Sequence, residues 1–125
     1  MIERYSRKEL KEIWLDKNRY SLWLQIELAA AEAMEKLNII PKGIVKKVKS
    51  KSKINIDRIV KIEGKVRHDV IAFLTSITEK VGKEGSYLHK GMTSSDVLDT
   101  CFNMQLKQSG EIILKDIEIL LGSIK

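Results

Sequence analysis

Cysteine occurs once, at Cys101. No disulfide can therefore close within the chain, and no multi-cysteine zinc site is available. Proline also occurs once, at Pro41, so little interrupts long helices. No apolar run approaches the ~18 residues that a membrane span needs. The opening MIERYSRKEL is charged from residue 3 and has no apolar core segment, which argues against a secretory signal. Gly-rich phosphate loops, nucleophile elbows and HExxH motifs are all missing. These absences lead us to expect a soluble, cytoplasmic protein of a reducing compartment, with no metal site.

What is present is a chain of 125 residues, 43% apolar and 32% charged, a balance that disfavours disorder. Lysine and arginine number 23 against 17 acids, a net charge of +6. Such a surplus suits nucleic acid, anionic lipid or a phosphorylated small molecule, and only the placement of charge chooses between them. Six of the lysines lie in KGIVKKVKSKSK, residues 42–53. A nucleic-acid platform needs aromatics or arginine forks beside the charge, and this run has neither. It reads as the solvated face of a short helix and loop. Neither nucleic acid nor a membrane is expected as a partner.

Apolar residues recur at helical spacing and nowhere alternate for long, so the fold class is all-α. Ser6, with Glu9 three residues on, predicts a capping box for a short first helix bearing Leu10, Ile13 and Trp14. A longer helix is expected from about Arg19 to Leu37, with Leu24, Leu28 and Ala31 on one side and Trp23, Ile26 and Ala30 widening the stripe. Trp14, Tyr20 and Trp23 read as core anchors. Asn38 to Gly43 breaks the pattern, and Pro41 suits the opening of the next element. A third helical stretch is expected over about Asp57 to Val81, starting near Asn55 or Ile56. Gly64 marks a kink or break in it. Ile59, Val66, Val70, Phe73, Leu74, Ile77 and Val81 form its apolar stripe. The last helix starts near Ser94 or Ser95 and runs to about Leu121. Its apolar residues cover well over half the circumference, so it must be covered on most sides. The preceding helices are too few and too short for that, and partner chains or further sequence are expected.

Two places combine residues suited to chemistry. Arg67, His68 and Asp69 supply a cation, a group that titrates near neutral pH and an acceptor. On a continuous helix His68 falls roughly 140° from the centre of the apolar stripe, which leaves an ordinary surface residue or a functional one. The second place is YLHKGMTSSD, Tyr87 to Asp96. It holds His89, glycines that permit sharp turns, and the hydroxyls of Thr93, Ser94 and Ser95 at a helix start. One hydroxyl suffices for a cap, whereas three with spare N–H groups also suit a carboxylate or phosphate. Arg4 and Tyr5, taken alone, read as a frayed terminus.

Together these segments resemble a known family. TSSDVLDT, Thr93 to Thr100, resembles the first signature region of the fumarase/aspartase superfamily. RHDVIAF (Arg67 to Phe73), YLHKGMTSSD, the opening RYS with Ile13-Trp14, and WLQIELAAAEA (Trp23 to Ala33) look specifically like the adenylosuccinate lyase family. The resemblance runs in order along nearly the whole chain. It implies an N-terminal helical domain, residues 1–92, followed by the first long helix of a central bundle, residues 93–125. It also implies a homotetramer whose active sites are each assembled from several subunits, with no metal or organic cofactor. The implied reaction eliminates fumarate from adenylosuccinate, leaving AMP, and from the succinylated carboxamide ribotide of purine synthesis.

By the family pattern, Thr93 and Ser94 bind a succinyl carboxylate, and Arg4 and Tyr5 contact the phosphate end of the nucleotide. Arg67, His68 and Asp69 line the nucleotide site. His68 also supports proton transfer to the leaving nitrogen, and His89 contacts substrate near phosphate. The family's general-acid histidine, its mobile serine loop and its phosphate-gripping arginines are not in this sequence, so these 125 residues are not expected to catalyse alone. The alternatives are another lyase of the superfamily, acting on argininosuccinate or a carboxymuconate, and a non-catalytic helical oligomerisation module.

Overall fold

A computed structural model describes residues 2–124, and all regular structure among them is helical. A short 3-10 turn, Glu3–Tyr5, precedes α1, Lys8–Ile13. Then come α2, Asp16–Lys36, and α3, Ile44–Lys51. A hairpin of α4, Ile56–Val66, and α5, Asp69–Val81, follows. A second 3-10 segment, Lys83–Tyr87, leads towards α6, Ser94–Ile124. No helix among the described residues is long and apolar enough to cross a membrane.

Helix ends explain where the elements start and stop. The expected Ser6 capping box does not form. Arg7 takes the N-cap position with extended backbone, and the Ser6 hydroxyl instead donates to the Ile2 carbonyl at 2.9 Å. The second helix starts earlier than expected, at Asp16, because Leu15 supplies the extended N-cap backbone. It ends in a Schellman motif, with Ile39 N–H on the Met34 carbonyl at 2.9 Å and Asn38 N–H on Glu35 at 3.1 Å. Asn38 takes the left-handed conformation this motif needs. Pro41 lies ahead of the next helix rather than in it. Glu35 reaches across to accept the Val45 N–H at 2.7 Å and so caps α3 from outside. In α3, Ile44 and Val48 are buried while Lys46, Lys47 and Lys49 face solvent, as the lysine run predicted.

The expected single stretch from 57 to 81 is two helices. Asn55 does cap the first, accepting Arg58 N–H at 2.9 Å. The break falls at Arg67 and His68 rather than Gly64, because Arg67 turns left-handed and His68 caps a new helix. The two helices run antiparallel, and Arg58 forks onto Glu79 across them. The hydrogen bond from Arg58, before its charge, holds the Glu79 carboxyl below its ordinary range. Val66, counted in the stripe, is half exposed beside the break.

The core forms where α2 meets α5. The Tyr20 and Trp23 ring centroids stand 5.8 and 5.5 Å from that of Phe73 and 5.2 Å from each other, two of the three contacts edge-on. Such pairs contribute ~0.5–1.5 kcal/mol beyond area burial. Trp14 does not join them. It is 41% exposed and leans on Phe102 of α6. On α6, Val97, Cys101 and Gln105 are buried. Burial pushes the Cys101 thiol up, as befits a core residue. Gln105 and Asn18 both donate to the Ile13 carbonyl, at 2.7 and 2.8 Å, and tie the end of α1 to α6. From Ile113 onward no residue of α6 is buried, and its isoleucines and leucines are 46–72% exposed. This is the uncovered apolar surface that its sequence predicts.

Two glycines test the packing. A Cβ on Gly85 would stand 2.6–2.9 Å from the Thr78 side chain of α5, whereas one on Gly64 meets open space. We expect Gly85→Ala to lower stability by ~1–3 kcal/mol through overpacking and Gly64→Ala to raise it by ~0.5–1 kcal/mol through helix propensity. Denaturant midpoints of the two variants check both signs.

Candidate functional site

Three chain segments end at one place: the start of α5, the turn before α6, and the N-terminus of α6. His68 is the N-cap of α5. Its Nδ1 accepts the Ile71 N–H at 3.4 Å. In a neutral ring that role leaves the proton on Nε2, and Nε2 lies 3.5 Å from Ser94 Oγ. Asp69 accepts the Val70 N–H at 2.7 Å and stands 3.7 Å from His68 Nδ1. His68 is exposed, as the wheel argument required, but for a different reason: it belongs to the break and not to a helix face.

The start of α6 is capped without hydroxyls. Asp96 folds back to accept the Thr93 N–H at 2.8 Å, while its own N–H donates to the Thr93 carbonyl at 3.1 Å. The hydroxyls of Thr93 and Ser95 make no hydrogen bond among the described residues, and Ser94 meets only His68. Capping therefore does not account for these three side chains.

His89 is held by a residue the sequence reading passed over. The Glu27 side chain, from the middle of α2, is fully buried. One carboxylate oxygen accepts the His89 backbone N–H at 2.7 Å, and the other meets its ring Nδ1 at 2.7 Å. The His89 carbonyl accepts the Met92 N–H at 3.3 Å, closing a turn that leads directly into Thr93. The available signal was a carboxylate four residues from Trp23 and four from Ala31, at the centre of the buried stripe where an acid is unexpected. That stripe is Tyr20, Trp23, Glu27 and Ala31, with Leu24 and Leu28 only half-buried.

Backbone strain sits at the same place. Among the described residues, three other than glycine have positive φ: Asn38, Arg67 (55°) and His89 (60°). Asparagine tolerates this conformation, whereas arginine does so at a cost of ~1–2 kcal/mol. Arg67 is exposed and lines a shallow cleft of about 440 Å³ with Val60, Glu63 and Gly64. Strain of this kind clusters at sites where it is functional.

The structure thus brings His68, Asp69 and Ser94 together, with Thr93 adjoining Ser94 in the chain and His89 at the head of the turn that precedes them. It does not bring Arg4 and Tyr5 there. Both are exposed, and the Arg4 guanidinium lies over the Tyr5 ring at 4.8 Å. The neighbouring Arg7 is paired with Asp116 of α6. Ser94 and Asp116 are about 33 Å apart along the helix axis, at ~1.5 Å per residue. The Arg4–Tyr5 turn therefore belongs to the far end of α6.

Comparison with known proteins agrees with this architecture. The sequence matches the lyase family over residues 1–125. It is 46% identical over 125 residues to the adenylosuccinate lyase of Bacillus subtilis (strain 168), covering all of this chain and 29% of that protein. To the adenylosuccinate lyase of Staphylococcus saprophyticus it is 48% identical over 118 residues, covering 94% of this chain and 27% of that one. The chain thus spans under a third of the length of these relatives. Among solved structures, a fumarate lyase from Mesorhizobium sp. BNC1 superposes with a TM-score of 0.82 over 90% of this chain and 27% of its own, at 22% identity. A β-carboxy-cis,cis-muconate cycloisomerase from Acinetobacter calcoaceticus sp. ADP1 gives 0.79 over 90% and 28%, at 24% identity. The helical architecture is therefore shared with these two enzymes, and the chain belongs to the lyase family.

Proposed function

We propose that this chain is the N-terminal part of an adenylosuccinate lyase, which acts in the cytoplasm and releases fumarate from succinylated purine nucleotides. In this reading residues 1–92 form an N-terminal helical domain and residues 93–125 start the central bundle. The observation that carries it is the meeting of His68 Nε2 and Ser94 Oγ at 3.5 Å, at a helix N-terminus whose hydroxyls are otherwise unused. High identity to two adenylosuccinate lyases supports the choice of substrate class.

The reaction is a β-elimination across a C–N bond. A base takes the proton next to a carboxylate, and an acid protonates the departing nitrogen. Negative charge builds on that carboxylate, so fixed donors aimed at it lower the barrier. Thr93 and Ser94 supply hydroxyls for the carboxylate, backed by the positive end of α6. His68, held by its capping bond, directs Nε2 to the same place and supports proton transfer to the leaving nitrogen. His89 meets the phosphate side, and Arg67 and Asp69 line the nucleotide site.

Arg4 and Tyr5 serve the phosphate of a site completed by another subunit, which accords with their place at the far end of α6. The exposed leucines and isoleucines of α6 are the surface on which the chains of a tetramer pack together.

The proposal has three tests in the full-length enzyme. Thr93→Ala combined with Ser94→Ala should weaken fumarate binding roughly tenfold or more and AMP binding much less, read as product inhibition constants. Equal loss for both ligands would show that these residues only shape the helix end. His68→Ala should slow turnover ~100-fold or more while costing ~1 kcal/mol of stability through the lost cap. A large fall in melting temperature with turnover preserved contradicts that role. Arg67→Gly should relieve the left-handed strain and raise stability by up to ~1 kcal/mol, yet lower activity. A variant both less stable and fully active would refute the functional reading of the strain.

A further inference from the structure

We propose that Glu27 is a positioning residue that fixes the orientation of the His89 ring and the nitrogen that carries its proton, and so the form in which Nε2 meets a ligand. The inference rests on His89 being a substrate contact, as argued above.

Glu27 comes from α2, remote in sequence from every residue with a place in the reaction. Its side chain is fully buried, and among the described residues both oxygens are engaged by His89 alone, Oε2 by the backbone N–H and Oε1 by the ring Nδ1, each at 2.7 Å. A carboxylate only accepts hydrogen bonds. With Glu27 as the carboxylate, Nδ1 carries a proton, whether the ring is neutral or charged. Nε2 is left as the nitrogen free to meet a ligand, on a ring that keeps 17% of its surface open. The backbone bond holds the residue at φ 60°, and with it the turn that delivers Thr93 and Ser94 to the start of α6. One acid so sets both the imidazole and the placement of the hydroxyls. For an anionic ligand the arrangement has a clear use. A ring already donating through Nδ1 to a carboxylate meets the anion through Nε2–H as an imidazolium, and Glu27 balances its charge.

Glutamine is the informative replacement, because it matches the shape but offers one acceptor and one donor group. With its oxygen on the His89 N–H, its NH₂ faces Nδ1. Nδ1 must then become an acceptor, and the ring proton moves to Nε2. The chain has two histidines, so nitrogen-15 NMR of the histidine-labelled 125-residue chain reads His89 directly, with His68 as internal control. In the unaltered chain we expect His89 Nδ1 to be protonated. In Glu27→Gln we expect Nδ1 to lose its proton and Nε2 to hold it, with His68 unchanged. Nδ1 found unprotonated in the unaltered chain overturns the proposal before any variant is made, and so does Nδ1 still protonated in a folded Glu27→Gln.

Kinetics of the full-length enzyme separate this proposal from the reading beneath it. Exchange of a charge-assisted bond for a neutral one should raise KM about tenfold with kcat nearly unchanged. A switched ring with unchanged KM would remove His89 from the substrate while leaving Glu27 as the residue that positions it.

Discussion

A buried carboxylate with no access to water joins the core of this protein to its candidate site. Stripping a carboxylate of water costs several kcal/mol, and Glu27 is retained in the middle of a helix face otherwise occupied by Tyr20, Trp23 and Ala31. What offsets the cost is a pair of short bonds to one residue, His89. The aromatic cluster of Tyr20, Trp23 and Phe73 fixes α2 against α5. Glu27 then transmits that placement to the turn ahead of α6. His68 rides on the start of the same α5. The two imidazoles are thus positioned from a common core, although they lie 21 positions apart in the sequence.

The site is made of helix ends rather than helix faces. A helix end leaves backbone donors without partners, and here those donors are met by groups that also have another use. His68 caps α5 through one ring nitrogen and turns the other to Ser94. Asp96 caps α6 through the backbone and frees the hydroxyls around it. Left-handed arginine at the α4–α5 break is a local cost that a glycine would avoid, and it sets the neighbouring His68 at the mouth of α5.

The helical class, the lysine-bearing face of α3 and the start of α6 were legible from periodicity and cap chemistry. The family could be read from motifs such as RHDVIAF and TSSDVLDT. The break at Arg67 was not, because Val66 and Val70 keep helical spacing across it and no glycine or proline marks the spot. Arginine in a left-handed conformation gives no sequence signal. Ser6 failed as a cap for a related reason: its hydroxyl found the Ile2 carbonyl in the turn before it, a competition that spacing alone does not reveal. Glu27 was missed because helix propensity welcomes glutamate anywhere in α2. Only its place on the buried stripe distinguishes it from Glu32, which pairs with Lys36 on the surface.

The same long helix explains why one chain holds its proposed site residues in two groups. Hydroxyls and imidazoles gather at the N-terminal end of α6, while Arg7 and Asp116 tie the Arg4–Tyr5 turn near its other end. No rearrangement of side chains spans the length of helix between them. A reaction that uses both groups on one substrate therefore requires a second copy, laid alongside so that its far end meets this near end. On the tetramer proposed above, antiparallel packing of α6 against its equivalent would do this, and would cover the leucines and isoleucines that a single chain leaves in water. The apolar girth of α6 and the separation of the two residue groups are then one constraint seen twice. On that proposal, the exposed apolar surface is also the axis along which the site is divided.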